Sequence, residues 1–79
     1  MAEPGNDHKV DAKGLKCPEP VMMLHAAIRR AEAGETVFLI ATDPSTQRDV
    51  ANFCEFLGHN LLESTAEGGQ FTYRVRKAG

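Results

Sequence analysis

Cys17 is the residue in this sequence whose type and position best suit covalent chemistry. It lies in the segment 15–20, which reads LKCPEP, just before apolar residues that recur at helical spacing. Proline suits the first helical position because it lacks an N–H that would have no partner there. We therefore predict that Cys17 is the N-cap of a helix, with Pro18 as its first residue and Pro20 as its third. A residue before proline avoids helical dihedrals, so Glu19 leaves open a start at Pro20 instead.

This position predicts a reactive thiol at Cys17. The amides of Cys17 and Glu19 would have no helical partner, and unpaired amides with the helix dipole favour a thiolate. Lys13 and Lys16 would add to the effect and Glu19 would oppose it, so we expect a lowered pKa at Cys17. Free cysteines are ordinarily buried hydrophobes. Charged residues and prolines surround Cys17, however, which favours exposure.

The second cysteine, Cys54, has the opposite setting. Val50, Phe53, Cys54 and Leu57 are spaced as one face of a helix, so Cys54 is predicted to lie in the core. We expect no disulfide between it and Cys17. The sequence therefore offers one available thiol and no resolving partner near it.

Other site chemistries find little support in the sequence. His8 is expected in a terminal tail and His25 too far along its helix to reach Cys17, whereas His59 stays open as a base. The cysteines and the three histidines have no recognised metal-ligand spacing. There is also no glycine-rich phosphate loop. We predict neither a metal nor a cofactor.

The composition indicates one small domain. The chain has 79 residues, of which 42% are hydrophobic, and a formal net charge of -2 with a pI of about 5.8. Residues 1–8 are predicted to be a flexible tail and residues 9–79 a single domain. The acidic balance argues against binding nucleic acid by bulk charge. With no signal peptide, no membrane span and two unpaired cysteines, we expect a cytoplasmic protein.

The predicted element order is β-α-β-α-β-β. Short strands at 9–13 and 36–42 flank a helix at 18–33, and a helix at 46–57 precedes a hairpin that begins at Leu61 and turns at 66–69. The apolar run 36–42 predicts a central strand covered on both faces or nearly so. Either Asp43, or Thr46 with Asp49, could cap the second helix. The fold class is α/β (α+β), a two-layer sandwich with both helices on one face of a four-stranded mixed sheet.

A lone activated thiol on a small domain suits covalent carriage of a group. A sulfur carrier works this way, because its thiolate takes the outer sulfur of a donor persulfide and a second protein then removes that sulfur. A neighbouring cysteine would discharge the persulfide as a disulfide. The isolation of Cys17 therefore favours this chemistry.

Residues 11–20, DAKGLKCPEP, resemble the signature of the TusA family (TusA/SirA-like) with its Cys-Pro-x-Pro motif. The resemblance covers about residues 9–77. It continues through the pairs at 34–35, 43–44, 48–49, 53–54 and 58–59 and the strand that contains Tyr73. Lys13 stands where members often carry arginine, which keeps the charge.

The resemblance implies a sulfurtransferase that acts as a carrier, with Cys17 as the residue that bears the persulfide. It implies a cysteine desulfurase as donor and a downstream sulfur-relay complex as acceptor. The sulfur would end in 2-thiouridine at the wobble position of tRNA, which the protein meets only indirectly. We expect a monomer when the protein is free.

Two alternatives stay open at this point. The same fold could serve as a regulatory module that binds protein or RNA, using Arg74, Arg76 and Lys77 on the last strand. TusA-like carriers also resemble proteins of sulfur oxidation, molybdenum-cofactor supply and selenium handling. A basic rim for acidic partners could be formed by Lys16, Arg29, Arg30 and Arg48. For each of these four residues taken alone, however, we expect an ordinary solvated surface charge rather than a partner contact.

Overall fold

The computed structural model describes residues 7–78 of the chain. Its elements are β1 (Asp7–Ala12), α1 (Glu19–Arg30), β2 (Thr36–Ala41), α2 (Thr46–Leu57), β3 (Asn60–Glu67) and β4 (Gln70–Arg76). The helices are 12 residues each, and within the described chain neither could serve as a membrane-spanning segment.

The four strands form one mixed sheet in the order β1-β2-β4-β3. β1 runs parallel to β2, as a strand-helix-strand connection requires, and β4 pairs antiparallel with both β2 and β3. Both helices pack on one face of this sheet. The predicted fold class and element order are confirmed.

The core lies between the helices and the sheet. Its buried members are Val10, Ala12, Leu24, Ala27, Ile28, Ala31, Val37, Leu39, Ala41, Val50, Cys54, Tyr73 and Val75. The alternation along β2 and β4 sends every second side chain towards the helices. Tyr73 is the largest of the fully buried side chains.

The second face of β2 is less covered than the sequence suggests. Its residues alternate between buried and half-buried, and Phe38 and Ile40 are in the half-buried set. The guanidinium of Arg74 lies 5.4 Å from the centroid of the Phe38 ring. The strand is central in the sheet, and helices cover one of its faces while the other is half-buried, so the expectation of a strand covered on both faces or nearly so is met only in part.

The first strand begins earlier than predicted. Asp7 pairs with Thr36 and His8 with Val37, so β1 starts where its partner β2 starts. His8 Nε2 also lies 2.8 Å from Glu35 Oε1. The last two residues of the predicted tail 1–8 therefore belong to the sheet. Residues 1–6 lie outside the described part of the chain.

Two helical details also differ from the prediction. α1 ends at Arg30 rather than at 33, because Ala31 takes an extended conformation and residues 32–35 form a turn. α2 has the predicted bounds and ends at Gly58, in the left-handed conformation with φ 79°. Leu57 is 41% exposed, so the buried stripe of α2 does not extend to its last residue.

The hairpin turn is confirmed at its two glycines. Gly68 and Gly69 have φ values of 58° and 80°, the left-handed values that a two-residue turn of type I′ requires. Ala66 and Glu67 still belong to β3.

Candidate active site around Cys17

Cys17 lies in the connection between β1 and α1, and its side chain is exposed. Pro18 is the N-cap of α1 and Glu19 is the first helical residue, so Cys17 stands one position before the predicted cap. The peptide bond between Cys17 and Pro18 is cis. The fully buried Pro20 anchors this first turn. The exposure expected for Cys17 is confirmed, and its role as the N-cap is not.

The backbone amides near the sulfur are already in use. Cys17 donates its N–H to Asp43 Oδ2 at 2.6 Å, and Glu19 donates its N–H to the Lys16 carbonyl at 2.8 Å. The sequence predicted that both amides would be free to stabilise a thiolate. That expectation was wrong because a loop carboxylate and a tight turn satisfy them.

The thiol itself is hydrogen-bonded to a carboxylate. Cys17 Sγ donates to Asp49 Oδ2 at 2.9 Å, and Arg48 Nε lies 3.5 Å from the other oxygen, Oδ1. The hydrogen bond to Asp49 raises the pKa of Cys17, with loss of hydration and the charge of Asp49 acting in the same direction. A hydrogen bond with Ser45 acts against them. The lowered pKa predicted for Cys17 was therefore wrong.

Asp43 and its loop tie Cys17 to the body of the fold. Asp43 Oδ1 accepts hydrogen bonds from the Ser45 N–H at 3.0 Å and the Ser45 hydroxyl at 2.9 Å. The Ser45 amide, then the Cys17 amide, hold the pKa of Asp43 below its usual range. Thr46 donates its hydroxyl to the Asp43 carbonyl at 2.7 Å.

A buried tyrosine supports this loop from below. The hydroxyls of Thr46 and Tyr73 lie 2.7 Å apart, and both residues are buried. Because Thr46 donates to Asp43, Tyr73 donates to Thr46.

The capping box expected from Thr46 and Asp49 does not form, since the Asp49 carboxylate accepts a hydrogen bond from the Cys17 thiol instead.

Cys17 opens onto an apolar groove between the two helices. The groove holds about 390 Å³ and is lined by Cys17, Pro18, Val21, Asp49, Asn52, Phe53 and Phe56. Phe56 is 88% exposed. A second groove of about 320 Å³ shares Val21 and Phe53 and adds Met22, which is 61% exposed. Large apolar side chains in the open beside a thiol favour contact with another protein.

The histidines make their contacts with groups other than the Cys17 thiol. The rings of His25 and Phe53 are tilted by 60° with centroids 5.5 Å apart, and the His59 ring centroid lies 5.8 Å from that of Phe53. His59 Nδ1 accepts the Ala78 N–H, and burial lowers the pKa of His59. Within residues 7–78 the thiol of Cys17 has no hydrogen bond to a histidine, and no three metal-binding side chains cluster.

Cys54 is in the core, as predicted. It is 3% exposed, and burial raises the pKa of its thiol to about 11. Both cysteines are free.

The expected basic rim is spread over several positions. Arg48 faces Asp49, Lys16 helps to lower the pKa of Asp43, and Arg29 lines the second groove. Arg30 is exposed in the last turn of α1.

The cations on β4 and directly after it are largely engaged within the protein. Arg74 pairs with Glu63 at 3.2 Å, and Lys77 Nζ donates to the Ala31 carbonyl at 2.6 Å. Arg76 is exposed.

Three residues of this site were not recognised in the sequence. Asp49 was considered only as a cap, although a carboxylate in the first turn of α2 could also face the preceding loop. Met22 and Phe56 lie off the buried stripes of their helices. The sequence signal for these two residues was a large apolar side chain at a position that helical spacing assigns to the polar face.

Comparison with known proteins gives the family. The model of the family described as "Sulfurtransferase TusA" matches residues 8–77. The chain belongs to the TusA family. Its motif residues Cys17, Pro18 and Pro20 lie within the matched range.

Curated relatives agree with this assignment, and one solved structure shares the fold. The "Sulfur carrier protein TusA" of Pseudomonas putida strain GB-1 is 55% identical over 71 residues, which span 90% of this chain and 89% of that one. The protein of the same description from Pseudomonas syringae pv. syringae strain B728a is 56% identical over 71 residues, with 90% and 84% covered. A crystal structure of the SirA-like protein from Desulfitobacterium hafniense has a TM-score of 0.78 at 22% identity, over 90% of this chain and 97% of that one. This last likeness concerns the fold alone.

Proposed function

We propose that this TusA-family protein is a sulfur carrier that bears a persulfide on Cys17. The observation that carries the proposal is a single exposed thiol at the mouth of an apolar groove, with the other cysteine in the core. The relatives described as sulfur carrier proteins match nearly the full length of this chain, which supports the same role here.

The proposed loading step is an exchange between a persulfide and a thiol. Cys17 gives up its proton, and its Sγ forms a bond to the outer sulfur of the donor persulfide. The bond between the two donor sulfurs breaks, its electron pair stays on the inner donor sulfur, and that sulfur takes up a proton. The exchange involves no net oxidation. A thiolate of the acceptor protein repeats the same step on the loaded carrier.

The surface around the Cys17 thiol supports the transfer of sulfur between two proteins. Phe56 provides exposed apolar surface in the groove that contains Cys17, and Met22 provides more in the second groove, which shares Val21 and Phe53 with the first. A protein partner buries surface of this kind. Because Cys54 is buried, no second thiol is available to discharge the persulfide. The loaded form would therefore not be discharged by the chain's own second cysteine before an acceptor docks.

The proposal extends to donor and destination. The donor is a cysteine desulfurase and the acceptor a sulfur-relay complex that leads to 2-thiouridine in tRNA, without direct contact between this protein and tRNA. Two unpaired cysteines suit a reducing compartment, so the cytoplasm is the proposed location and a monomer the proposed free form. Carriage of sulfur for another pathway uses the same thiol. The alternative of an RNA-binding module has less support, since Arg74 and Lys77 bind within the protein.

Intact-protein mass spectrometry tests the proposal. The protein is incubated with a cysteine desulfurase and cysteine in the absence of reductant. We expect a gain of one sulfur atom that a reductant removes.

Two cysteine variants provide the matched controls. The gain is expected to be absent in Cys17→Ser and retained in Cys54→Ser. A folded protein with a titratable Cys17 that gains no sulfur would contradict the proposal, as would a gain that persists in Cys17→Ser.

A further inference from the structure

The hydrogen bond between Cys17 and Asp49 depends on the protonation state of the sulfur. An ionised carboxylate can only accept hydrogen bonds, so the contact of 2.9 Å requires a proton on Sγ. The side chain of Asp49 is only 20% exposed, and Arg48 Nε lies 3.5 Å from its second oxygen. The carboxylate is therefore held in place and partly sheltered from water.

The other charged groups near the sulfur do not compensate for this carboxylate. Asp43, from the loop before α2, also disfavours the thiolate by its charge. Lys16 and Glu19 are the neighbouring charged residues on the segment of Cys17 itself, and Lys16 acts on Asp43. The sulfur thus lies beside two carboxylates that come from one loop and helix.

We propose that Asp49 is a positioning residue that holds the sulfur of the unloaded protein as a hydrogen-bonded thiol. The thiolate is the form that reacts with electrophiles and oxidants. Asp49 therefore lowers the reactivity of an exposed cysteine while no partner is bound. The inference concerns the free thiol and stands on the geometry of the unloaded protein.

Its significance for sulfur carriage rests on the proposed function. When Cys17 bears a persulfide, Sγ is bonded to the outer sulfur and has no hydrogen to donate. The contact with Asp49 consequently distinguishes the unloaded from the loaded form. A partner that draws the Asp49 carboxylate away would release the thiol for attack.

Alkylation with iodoacetamide tests the role of Asp49 without any sulfur donor, so its outcome is independent of the proposed function. The rate at Cys17 is measured across a pH series by mass spectrometry of the peptide that contains it. In Asp49→Asn, which keeps the shape and removes the charge, we expect the midpoint of the profile to fall. The rate at about pH 7 should rise at least about twofold, because the gain in thiolate exceeds the loss in nucleophilicity.

Two further variants separate this role from a general effect of charge. Glu32→Gln removes an exposed carboxylate beyond the far end of α1 and should leave the profile of Cys17 unchanged. Asp49→Glu keeps the charge and should react more slowly than Asp49→Asn. An unchanged or raised midpoint in Asp49→Asn would overturn the inference. Equal acceleration by Glu32→Gln or by Asp49→Glu would overturn it as well.

Discussion

The two cysteines of this protein have the same side chain and opposite surroundings. Cys17 is exposed beside a groove, and Cys54 is 3% exposed in the core. Both thiols nevertheless have a raised pKa. For Cys17 the first cause is the hydrogen bond to Asp49, whereas for Cys54 it is burial, which brings the pKa to about 11.

The difference lies in how each thiol can be released. The contact between Cys17 and Asp49 joins two side chains on neighbouring segments, so a small movement or a partner's charge can break it. The burial of Cys54 ends only when α2 separates from the sheet. A raised pKa therefore reflects burial in the core for Cys54 and, as the largest cause, a single side-chain contact for the exposed Cys17.

The largest expected effect is the difference in alkylation rate between the two cysteines. In the native protein, Cys17 should react with iodoacetamide at least about a hundredfold faster than Cys54, because an opening that costs about 3 kcal/mol slows a buried thiol by that factor. Peptide mass spectrometry after timed quenching measures both rates in one sample. In concentrated urea the two rates should converge, and comparable rates in the native protein would contradict the comparison.

The fold, and the contrast between an exposed Cys17 and a buried Cys54, could be predicted from the sequence because both depend on local patterns. Helical spacing placed Cys54 on a buried stripe, and the prolines around Cys17 marked the start of a helix. The bounds of α2 and the turn at Gly68 followed from the same kind of signal. Such patterns depend on residues close together in the chain.

The environment of the Cys17 sulfur could not be predicted in this way. The Sγ of Cys17 donates a hydrogen bond to Asp49, and the Cys17 N–H donates one to Asp43. These residues are 32 and 26 positions away in the sequence. Their placement depends on a loop held by Thr46 and Tyr73, a contact between distant elements. Reasoning from a helix N-terminus alone therefore gave the wrong direction for the pKa of Cys17.

A smaller effect is expected from the exposed apolar side chains, which lie beside Cys17 and not beside Cys54. Phe56→Ala should slow sulfur loading from a protein donor by about tenfold, equivalent to about 1.4 kcal/mol of lost contact, because an exposed aromatic ring beside the thiol suits a binding hot spot. The rate is measured by mass spectrometry at donor concentrations below saturation. Alkylation of Cys17 by iodoacetamide should not change.

The matched control for Phe56 is Leu62→Ala. Leu62 is 49% exposed on β3 and does not line the groove at Cys17. Neither variant should change the free energy of unfolding by more than about 0.5 kcal/mol. Equal slowing by both variants, or none by Phe56→Ala, would contradict a role for this groove in docking.

The smallest expected effect concerns the loop that holds Cys17. Hydrogen bonds from Ser45 and Cys17 lower the pKa of Asp43 from its ordinary value of 3.8. A carboxyl whose pKa is lower in the folded state stabilises the fold above its ordinary value, and this contribution is lost as the pH falls through the folded-state pKa. Urea unfolding followed by circular dichroism between about pH 7 and about pH 3 should therefore show a smaller loss of stability in Asp43→Asn than in the wild type. Parallel curves would mean that Asp43 does not couple this loop to pH, whereas a flatter curve for the variant would show that the Asp43 carboxylate beside Cys17 contributes to the acid sensitivity of the fold.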